Sequence, residues 1–310
     1  MNINLEEVPC PVCGHKKYRK LFANGDITYG VEGIYQVVEC NKCKLWYQNP
    51  QPTQESLPFL YPEDYGPYKG KGTHRFERIL SLIQNYNFSK MRVKSKRNED
   101  LIYLRPEQDK HARLLEIGCS NGRRLIDLYN AGYDNLSGTD LSNVAQGRLR
   151  SRHIDFRCGD VEDVLAGYQD GEFETVIMSM VIEHLKRPHY VLREINRILK
   201  KEGEFLVSTV TRDCMEWHIF KKDAAFFDLP RHMNFFTKKQ LVDLLSPFFT
   251  EIEMECQVAP IDFWRGMRGA KYRKGFIAAC MAYTIPGSYL MEWLAKKRKS
   301  SRVSVKCKKF

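Results

Sequence analysis

Strand-like and helix-like segments alternate along this chain from residue 111 onward, and this alternation restricts the possible fold more than any other feature. The run Val176-Ile177-Met178 is typical of a strand that is buried on both faces. Pro188 suits the first turn of a helix, and apolar residues recur after it at helical spacing. Because a helix between two strands makes them parallel neighbours, the alternation predicts an α/β fold with helices on both faces of a parallel sheet.

The same pattern places the elements of this sheet. Predicted strands cover residues 113–117, 135–139, 154–157, 173–178, 204–209 and 251–257. Residues 302–306 alternate as well and could close the sheet as an edge strand. One predicted helix runs from Pro188 to Lys200 before a stop at Gly203, and another begins with a capping box at Thr237.

The loop after the first predicted strand has the sequence Glu116-Ile117-Gly118-Cys119-Ser120-Asn121-Gly122. Gly118 permits a sharp turn, and Gly122 permits close packing of the helix that follows. The spacing Gly118-x-Ser120-x-Gly122 differs from the G-x-G-x-x-G that a pyrophosphate requires. It suits an amino-acid moiety that approaches the backbone closely and whose ammonium group needs a carboxylate, which Glu116 can supply.

Two further carboxylates stand at the ends of the next two predicted strands. Asp140 lies 22 positions after Gly118 and can accept hydrogen bonds from both hydroxyls of a ribose. Asp160 follows the third strand and can accept a hydrogen bond from an adenine amino group. Because ligands of such folds lie across the carboxyl ends of the strands, Glu116, Asp140 and Asp160 together predict a nucleoside that carries an amino acid.

These segments resemble the class I S-adenosylmethionine (SAM)-dependent methyltransferases. Residues 114–122 resemble the first motif of that family, and residues 173–176 with 181–185 resemble its fourth-strand motif and the Glu-His turn that follows. The match covers residues 110–257 and implies a Rossmann-like seven-stranded sheet, SAM as cofactor and methyltransferase activity. Ser120 stands where the family usually has glycine, so a modest backbone adjustment is expected there. The alternative is a doubly wound domain that binds another nucleotide, or none.

The resemblance also implies which residues bind the cofactor. They are Glu116, Gly118, Cys119, Ser120, Gly122, Asp140, Leu141, Asp160, Val161 and Met178. Most of them lie at or just after the end of a predicted strand, so they are expected at one edge of the sheet.

Two C-x-x-C pairs, Cys10/Cys13 and Cys40/Cys43, are separated by 26 residues near the N-terminus. The first residues lack a basic start and an apolar run, which argues against a signal peptide, and cysteines in a reducing compartment more often bind metal than form disulfides. Four thiolates at this spacing suit tetrahedral Zn²⁺, and a closed set of four leaves no position open for catalysis. We therefore predict a structural zinc ribbon, with redox-active dithiols as the weaker alternative.

The zinc pairs and the Pro- and Tyr-rich stretch behind them suggest four regions. These are a zinc ribbon at 1–50, a connector and basic helix at 51–110, a methyltransferase domain at 111–259 and a basic C-terminal insertion at 260–310. The connector is expected to lack regular structure. This order of regions resembles a bacterial methyltransferase subgroup that is common in polysaccharide, surface-sugar and deoxysugar biosynthesis.

Methyl transfer to a hydroxyl or to a carbon acid requires a base in addition to positioning. Glu183 and His184 follow the fourth strand, and His232 lies in a segment that resembles a His-x-x-x-Phe element beside the active site of this subgroup. We predict His232 as base or substrate ligand and Glu183 and His184 as further catalytic residues, while structural roles for both histidines stay open. Four nearby phenylalanines can wall the pocket or belong to the core: Phe226, Phe227, Phe235 and Phe236.

Basic residues concentrate at the C-terminal end. The net charge is +11, and residues 260–310 hold 13 Lys and Arg residues against 2 acidic ones, so this region accounts for all of it. An apolar stretch at 276–295 is interrupted by Pro286-Gly287 and has basic residues on both sides. This pattern fits a hairpin in one leaflet of a membrane better than a helix that spans it. The protein is expected in the cytoplasm, where residues 273–299 could contact the anionic inner face of the membrane. An ordinary helical insertion packed on the domain is an equal alternative.

Three functions therefore compete. The first is a SAM-dependent methyltransferase whose acceptor is a small molecule or a sugar, including a lipid-linked saccharide. The second is an RNA methyltransferase, because some rRNA enzymes carry a four-cysteine zinc module and a basic tail binds phosphates. The segment Met178-Ser179-Met180-Val181 stands where an Asn-Pro-Pro-Tyr-type motif would occur, which speaks against enzymes that methylate base amino groups. The third is a non-catalytic SAM-binding zinc protein that regulates a partner.

Overall fold

The computed structural model describes residues 3–61, Tyr65, Tyr68, 109–256, Trp293, Lys297 and 299–310. Its strands are β1 (Leu5–Glu6), β2 (Tyr18–Asn24), β3 (Tyr35–Cys40), β4 (Trp46–Gln48), β5 (Gln51–Pro52), β6 (Leu114–Ile117), β7 (Leu136–Asp140), β8 (Asp155–Cys158), β9 (Phe173–Ser179), β10 (Leu199–Val210), β11 (Asn234–Phe235), β12 (Phe249–Cys256) and β13 (Arg302–Lys309). Its α-helices are α1 (Arg123–Asn130), α2 (Gln146–Arg150), α3 (Val161–Ala166), α4 (Pro188–Ile198), α5 (Met215–Phe220) and α6 (Lys238–Leu245). Short 3-10 helices cover Gln54–Leu60, Ile182–His184, Lys221–Asp223 and Ala225–Phe227.

A mixed sheet of seven strands forms the centre of the protein, in the order β12-β13-β10-β9-β6-β7-β8. β6 pairs in parallel with β7 and with β9, and all four of its residues are buried. The strand order reverses at β6, because the chain proceeds outward to β7 and β8 and then returns to β9. Doubly wound sheets bind ligands outside the carboxyl ends of the strands at such a switch point. The predicted Rossmann-like, seven-stranded class I methyltransferase sheet is confirmed.

The last strand does not lie at the edge of the sheet, so the expectation from residues 302–306 was wrong. β13 pairs antiparallel with β10 on one side and with β12 on the other, and β12 forms the edge. Val303, Val305 and Cys307 are completely buried, as befits an interior strand. The alternating pattern reports the two faces of a strand, but it does not show how many neighbours pair with it.

The end of α4 also differs from the expectation. α4 ends at Ile198 and β10 begins at once at Leu199, whereas the sequence placed the helix end at Lys200 and its stop at Gly203. Gly203 instead lies inside β10, where the pairing with β9 changes register before Glu204. A Cβ atom at Gly203 would lie 2.8 Å from the carbonyl oxygen of Lys200. The glycine therefore permits a close backbone approach at a strand irregularity.

The N-terminal module shares a sheet with the methyltransferase domain. β2, β3 and β4 pair antiparallel, and β11 extends this sheet through the pairs Asn234–Tyr47 and Phe235–Trp46. The sheet of the N-terminal module is thus completed by β11, which follows β10 in the chain.

Part of the connector has regular structure, so the expectation of none was wrong for that part. β5 pairs with β1, and a 3-10 helix covers Gln54–Leu60. Leu57 and Leu60 are buried three residues apart and pack with Met233. The prolines and tyrosines of this segment obscured this short apolar repeat.

An aromatic cluster fills the space between the module and the segment that follows β10. Phe22 and Phe227 have ring centroids 4.9 Å apart, and Trp46 and Trp217 have centroids 5.1 Å apart. The four phenylalanines whose role was open are buried: Phe226, Phe227 and Phe235 in this cluster and Phe236 in the main core. Of the two roles considered, the structure shows the core role.

Among the residues that the structure describes, no helix is long and apolar enough to cross a membrane. The predicted basic helix lies in a part of the chain that is not described, and the description resumes at residue 109. The segment 273–299 also lies outside the described residues, apart from Trp293, Lys297 and Lys299.

We predict that Gly203→Ala destabilises the fold by about 1–3 kcal/mol, because the added methyl group meets a backbone oxygen that cannot move alone. Gly147→Ala is the matched control: no atom lies within 4 Å of the added Cβ, and the helical position should gain about 0.5–1 kcal/mol. Urea denaturation of both variants measures the free energy of unfolding. Equal stability of the two variants would contradict the assignment of Gly203.

Candidate active site and metal centre

The loop between β6 and α1 makes the sharp turn that its glycines predict. Gly118 has a φ of +70°, and a Cβ there would lie 2.4 Å from Val181 Cγ2, so only glycine fits. Gly122 has a φ of +73° and approaches a buried leucine side chain closely. Ser120 adopts a φ of +54°, and its backbone N–H donates to Asp140 Oδ2 at 2.7 Å. The expected adjustment at Ser120 therefore takes the form of a left-handed backbone.

Backbone hydrogen bonds hold two of the three predicted cofactor carboxylates, Asp140 and Asp160. Asp140 Oδ1 accepts from the Ser142 N–H at 2.9 Å, and Asp160 Oδ1 accepts from the Glu162 N–H at 2.8 Å. Burial raises the pKa of Asp140. Since a carboxylate has about four lone-pair sites, both groups keep acceptor capacity for a ligand.

Glu116 is buried at the end of β6 with one oxygen still available. Its Oε1 forms an ion pair with Arg124 Nη1 at 3.1 Å, whereas Oε2 has no hydrogen-bond partner among the described residues. Burial raises the pKa of Glu116 to about 7, although Arg124 opposes the shift. A buried acceptor of this kind fits the ammonium group of an amino acid.

The other predicted cofactor residues surround this edge at different depths. Cys119 is buried next to β7, and Met178 is completely buried in the main core. Leu141 packs against the leucines of the first 3-10 helix, and Val161 packs against the main core.

Two side chains of the connector contact the cofactor carboxylates, and sequence reasoning missed them. Gln54 Nε2 donates to Asp160 Oδ2 at 2.7 Å, and the Tyr68 hydroxyl hydrogen-bonds to Asp140. The rings of Tyr61 and Tyr65 lie 5.1 Å apart, as do those of Tyr65 and Tyr68. The only sequence signal was the density of tyrosines in this stretch.

Glu183, His184 and His232 lie close together in one cluster. His232 Nε2 lies 3.9 Å from Glu183 Oε1, and the two imidazole rings are perpendicular with centroids 4.7 Å apart. The Met233 N–H donates to the Glu183 carbonyl at 2.8 Å, which joins the two segments that carry these side chains. The Tyr61 hydroxyl lies 3.2 Å from His184 Nδ1, so the connector also contacts this cluster.

Backbone carbonyls determine which nitrogen of each histidine carries a proton. His232 Nδ1 lies 2.7 Å from the Phe226 carbonyl oxygen, and His184 Nδ1 lies 3.0 Å from that of Arg231. Because a carbonyl can only accept, each Nδ1 is the donor and each Nε2 keeps its lone pair when the ring is neutral. Burial lowers the pKa of His184 to about 3, and His232 acts in the same direction. His232 therefore directs a basic nitrogen toward Glu183.

Glu183 is completely buried, and one of its oxygens is free. Oε2 accepts from the Thr209 hydroxyl at 2.7 Å, whereas Oε1 has no hydrogen-bond partner among the described residues. Burial raises the pKa of Glu183, although His232 opposes the shift. A carboxylate facing Nε2 accepts no hydrogen bond from the neutral imidazole, but it stabilises the imidazolium that forms when Nε2 takes a proton.

Buried ion pairs next to His232 also escaped the sequence analysis. The Arg231 guanidinium is completely buried and binds Asp26 and Asp228. Asp26 lies 205 positions away in the N-terminal module, so nothing in the local sequence identifies it as the partner.

The four predicted zinc ligands form a compact cluster. The Sγ atoms of Cys10 and Cys43 lie 3.5 Å apart, as do those of Cys13 and Cys40, and all four lie within 4.8 Å of one another. Tetrahedral Zn²⁺ with Zn–S bonds of about 2.3 Å places sulfur atoms about 3.8 Å apart. Burial raises the pKa of the Cys43 thiol to about 11, so a cation is needed to hold such groups as thiolates. The cluster fits Zn²⁺.

The second cysteine pair is attached directly to the methyltransferase domain. Gln240 Nε2 in α6 donates to the Cys43 carbonyl at 3.0 Å, and Arg212 Nη2 donates to the Lys44 carbonyl at 3.1 Å. The Arg212 guanidinium also lies over the Trp46 ring, 4.4 Å from its centroid. The geometry of the cysteine cluster is thus linked to the packing of the domain.

The fold and the three strand-end carboxylates define a class I SAM-dependent methyltransferase domain. A family model described as "Methyltransferase domain" matches residues 86–248, which is more than half of the chain. The chain belongs to this methyltransferase family.

Comparison with one solved structure supports the fold, and a second is reported with it. A Haemonchus contortus phosphoethanolamine N-methyltransferase in complex with SAM is 14% identical, with a TM-score of 0.51 over 85% of this chain and 62% of that one. A SAM-dependent methyltransferase from Thermotoga maritima is 19% identical, with a TM-score of 0.48 over 76% of this chain and 94% of that one.

Curated relatives match a shorter part of the chain. Ubiquinone biosynthesis O-methyltransferase from Xanthomonas oryzae pv. oryzae is 33% identical over 107 residues, which are 33% of this chain and 44% of that protein. The protein of the same name from Dechloromonas aromatica is 30% identical over 107 residues, which are 33% of this chain and 45% of that protein. The chain therefore matches less than half the length of these relatives.

We predict that the protein binds one Zn²⁺ per chain and that Cys40→Ser abolishes this binding. Because metal binding stabilises the folded module, the variant should lose about 4 kcal/mol or more of stability. Elemental analysis and denaturant unfolding measure the two effects. Cys158→Ser, which changes an exposed cysteine outside the cluster, is the control and should behave as wild type. A Cys40→Ser protein that keeps its metal and its stability would refute the site.

We further predict that SAM affinity falls as the pH is lowered through 7. The raised pKa of Glu116 means that this carboxyl becomes neutral below about pH 7, and a neutral group no longer pairs with the ammonium of SAM. The dissociation constant should rise about tenfold from pH 8 to pH 6. Glu116→Gln should bind weakly at both pH values, whereas Asp134→Asn, at an exposed position, should retain the pH dependence. Calorimetric titration with SAM provides the measurement, and a pH-dependent Glu116→Gln variant would contradict the assignment.

Proposed function

We propose that this protein is a SAM-dependent methyltransferase that methylates a hydroxyl group of a small molecule or a saccharide. The observation that carries the proposal is the buried His232–Glu183 pair, which lies beside the carboxyl ends of the strands that bear the cofactor carboxylates. A hydroxyl must lose a proton during transfer, whereas a neutral amine can attack without a base. A basic imidazole backed by a carboxylate therefore favours O-methylation.

Each carboxylate at the switch point binds a different part of the cofactor in this proposal. When bound, SAM supplies a methyl group on a sulfonium that is displaced in line by the acceptor. In this proposal Glu116 binds the ammonium, Asp140 binds the ribose hydroxyls and Asp160 binds the adenine amino group, with the Gly118–Gly122 loop close to the amino-acid moiety. Their fixed positions contribute by orientation, which is the main source of rate in such a displacement.

His232 moves the proton in the proposed reaction. Its Nε2 takes the hydroxyl proton as the bond between the acceptor oxygen and the methyl carbon forms and the bond between that carbon and sulfur breaks. The products are the methylated acceptor and S-adenosylhomocysteine, and the imidazolium returns its proton to solvent. Glu183 stabilises the imidazolium through its free oxygen. His184, which burial keeps neutral, packs perpendicular to His232 and holds its ring in place.

Two observations support the class of acceptor: the burial of His232 and the names of the relatives. His232 is only 6% exposed, so it can serve only a group that reaches into the protein, which suits a small molecule or the end of a saccharide better than a base within an RNA chain. The relatives from Xanthomonas and Dechloromonas are named as O-methyltransferases. The order of a zinc module before the methyltransferase domain resembles the sugar-biosynthesis subgroup, which supports a saccharide.

We also propose that Zn²⁺ at the four cysteines has a structural role, since the cluster is closed and lies on the side of the module that is bonded to α6. The division of the chain at residues 50, 110 and 259 stays a prediction. The same holds for the contact of residues 273–299 with an anionic membrane and for the cytoplasmic location.

We predict that His232→Gln reduces methyl transfer about 10²- to 10⁴-fold, because the variant lacks the base, while its affinity for SAM stays that of wild type. Transfer is measured as a mass gain of one CH₂ group in a panel of nucleotide sugars, lipid-linked saccharides, phenols and RNA incubated with SAM. His218→Gln, which changes an exposed histidine on α5, is the control and should keep full activity. Full activity of His232→Gln would contradict its role as base, and transfer to RNA alone would contradict the acceptor class.

A further inference from the structure

Arg231 forms a bridge between the N-terminal module and the loop that carries His232. Its Nη1 and Nη2 donate to Asp26 Oδ2 and Oδ1, both at 2.8 Å, and its Nε and Nη2 donate to Asp228 Oδ2 and Oδ1, both at 2.9 Å. The guanidinium also donates to the Leu60 carbonyl at 3.3 Å, and it lies 4.6 Å from the centroid of the Tyr29 ring. Two paired, bidentate contacts define the position of this side chain completely.

Asp26 is held in place by its own loop. Its carboxylate accepts from the backbone N–H groups of Thr28 at 2.8 Å, Tyr29 at 3.0 Å and Val31 at 3.1 Å. The Asp26 side chain is completely buried. The contact with Arg231 is therefore made by a group that the module presents in a fixed position.

The three charges do not cancel. Although burial opposes ionisation, the Arg231 guanidinium lowers the pKa of Asp26 and that of Asp228. Burial likewise opposes the charge on Arg231, but the two carboxylates raise its pKa further. All three groups are ionised at neutral pH, so the cluster carries one net negative charge.

This negative charge faces the proposed base. Asp228 Oδ2 lies 4.0 Å from His232 Nε2, on which the proton would arrive. The titratable and charged groups around His232 are Glu183, His184, Asp228 and Arg231, with Asp26 behind Arg231 and Arg302 acting on Glu183. If Asp228 were the only partner of Arg231, the two charges would cancel and the ion pair would carry no net charge beside His232.

We infer that Asp26 is a positioning residue for the reaction: as a second carboxylate on Arg231, it leaves the cluster with a net negative charge beside His232, and this charge stabilises the imidazolium of His232. The inference rests on the proposed function, since it assigns His232 as the base. It makes the N-terminal module part of the electrostatics of the active site, because the module supplies the second carboxylate. The module then acts on the proton transfer without contacting the acceptor.

The test compares the pKa of His232 in wild type, Asp26→Asn and Glu32→Gln by NMR of histidine-labelled protein. Asp26→Asn removes one charge from the cluster, so the pKa of His232 should fall by on the order of one unit. Glu32→Gln removes a charge from an exposed residue of the same loop and should leave the pKa unchanged. The acidic limb of the pH profile of kcat/KM should move to lower pH in Asp26→Asn, while the KM for SAM stays that of wild type.

Other outcomes distinguish the inference from the proposed function. An unchanged His232 pKa in folded Asp26→Asn, or an equal shift in Glu32→Gln, would overturn the inference. A lowered pKa in a protein whose His232→Gln variant is fully active would support the coupling and refute the base. Should Asp26→Asn fail to fold, Asp26→Ser provides the second reading, because its hydroxyl can still accept from the N–H groups of Thr28 and Tyr29 without the charge. The pKa of His232 should fall in this variant as well, and an unchanged value would again overturn the inference.

Discussion

The burial of one guanidinium determines how the N-terminal module and the methyltransferase domain fit together. Leaving Arg231 buried without partners would be very costly, since an isolated charge in a protein interior loses its hydration without compensation. The loop with His232 can therefore adopt its observed position only when Asp26 and Asp228 are both in place. One carboxylate is local and the other comes from a distant part of the sequence. As a result, the loop with His232 takes its observed position only in the assembled protein.

The four-cysteine cluster extends the same dependence to the other side of the module. The carbonyls of Cys43 and Lys44 accept hydrogen bonds from Gln240 and Arg212, which belong to the methyltransferase domain. A closed site of four cysteines contributes folding energy and no open coordination position. The four-cysteine module is thus packed against the methyltransferase domain and bonded to it on this side as well.

The parts of the fold that local patterns describe could be predicted from the sequence. The strands that lead to Glu116, Asp140 and Asp160 follow from their alternation with helical segments and from the Gly or Asp at or just after each strand end, and the cysteine cluster follows from its spacing. The contacts that depend on distant partners could not be predicted from the sequence. The interior position of β13, the pairing of β11 with β4 and the attachment of Arg231 to Asp26 are properties of the assembled chain. The same limit explains why the sequence offered His232 as a candidate but not the charges around it.

The pairing of β11 with β4 has a consequence for synthesis on the ribosome. Phe235 pairs with Trp46, about 190 residues earlier in the chain. At about 5–20 residues per second, β4 leaves the ribosome on the order of ten seconds or more before its partner. During that interval its free edge exposes unpaired N–H and C=O groups, which can pair with another chain. β4 is only three residues long, which limits the template that the nascent module offers to its neighbours.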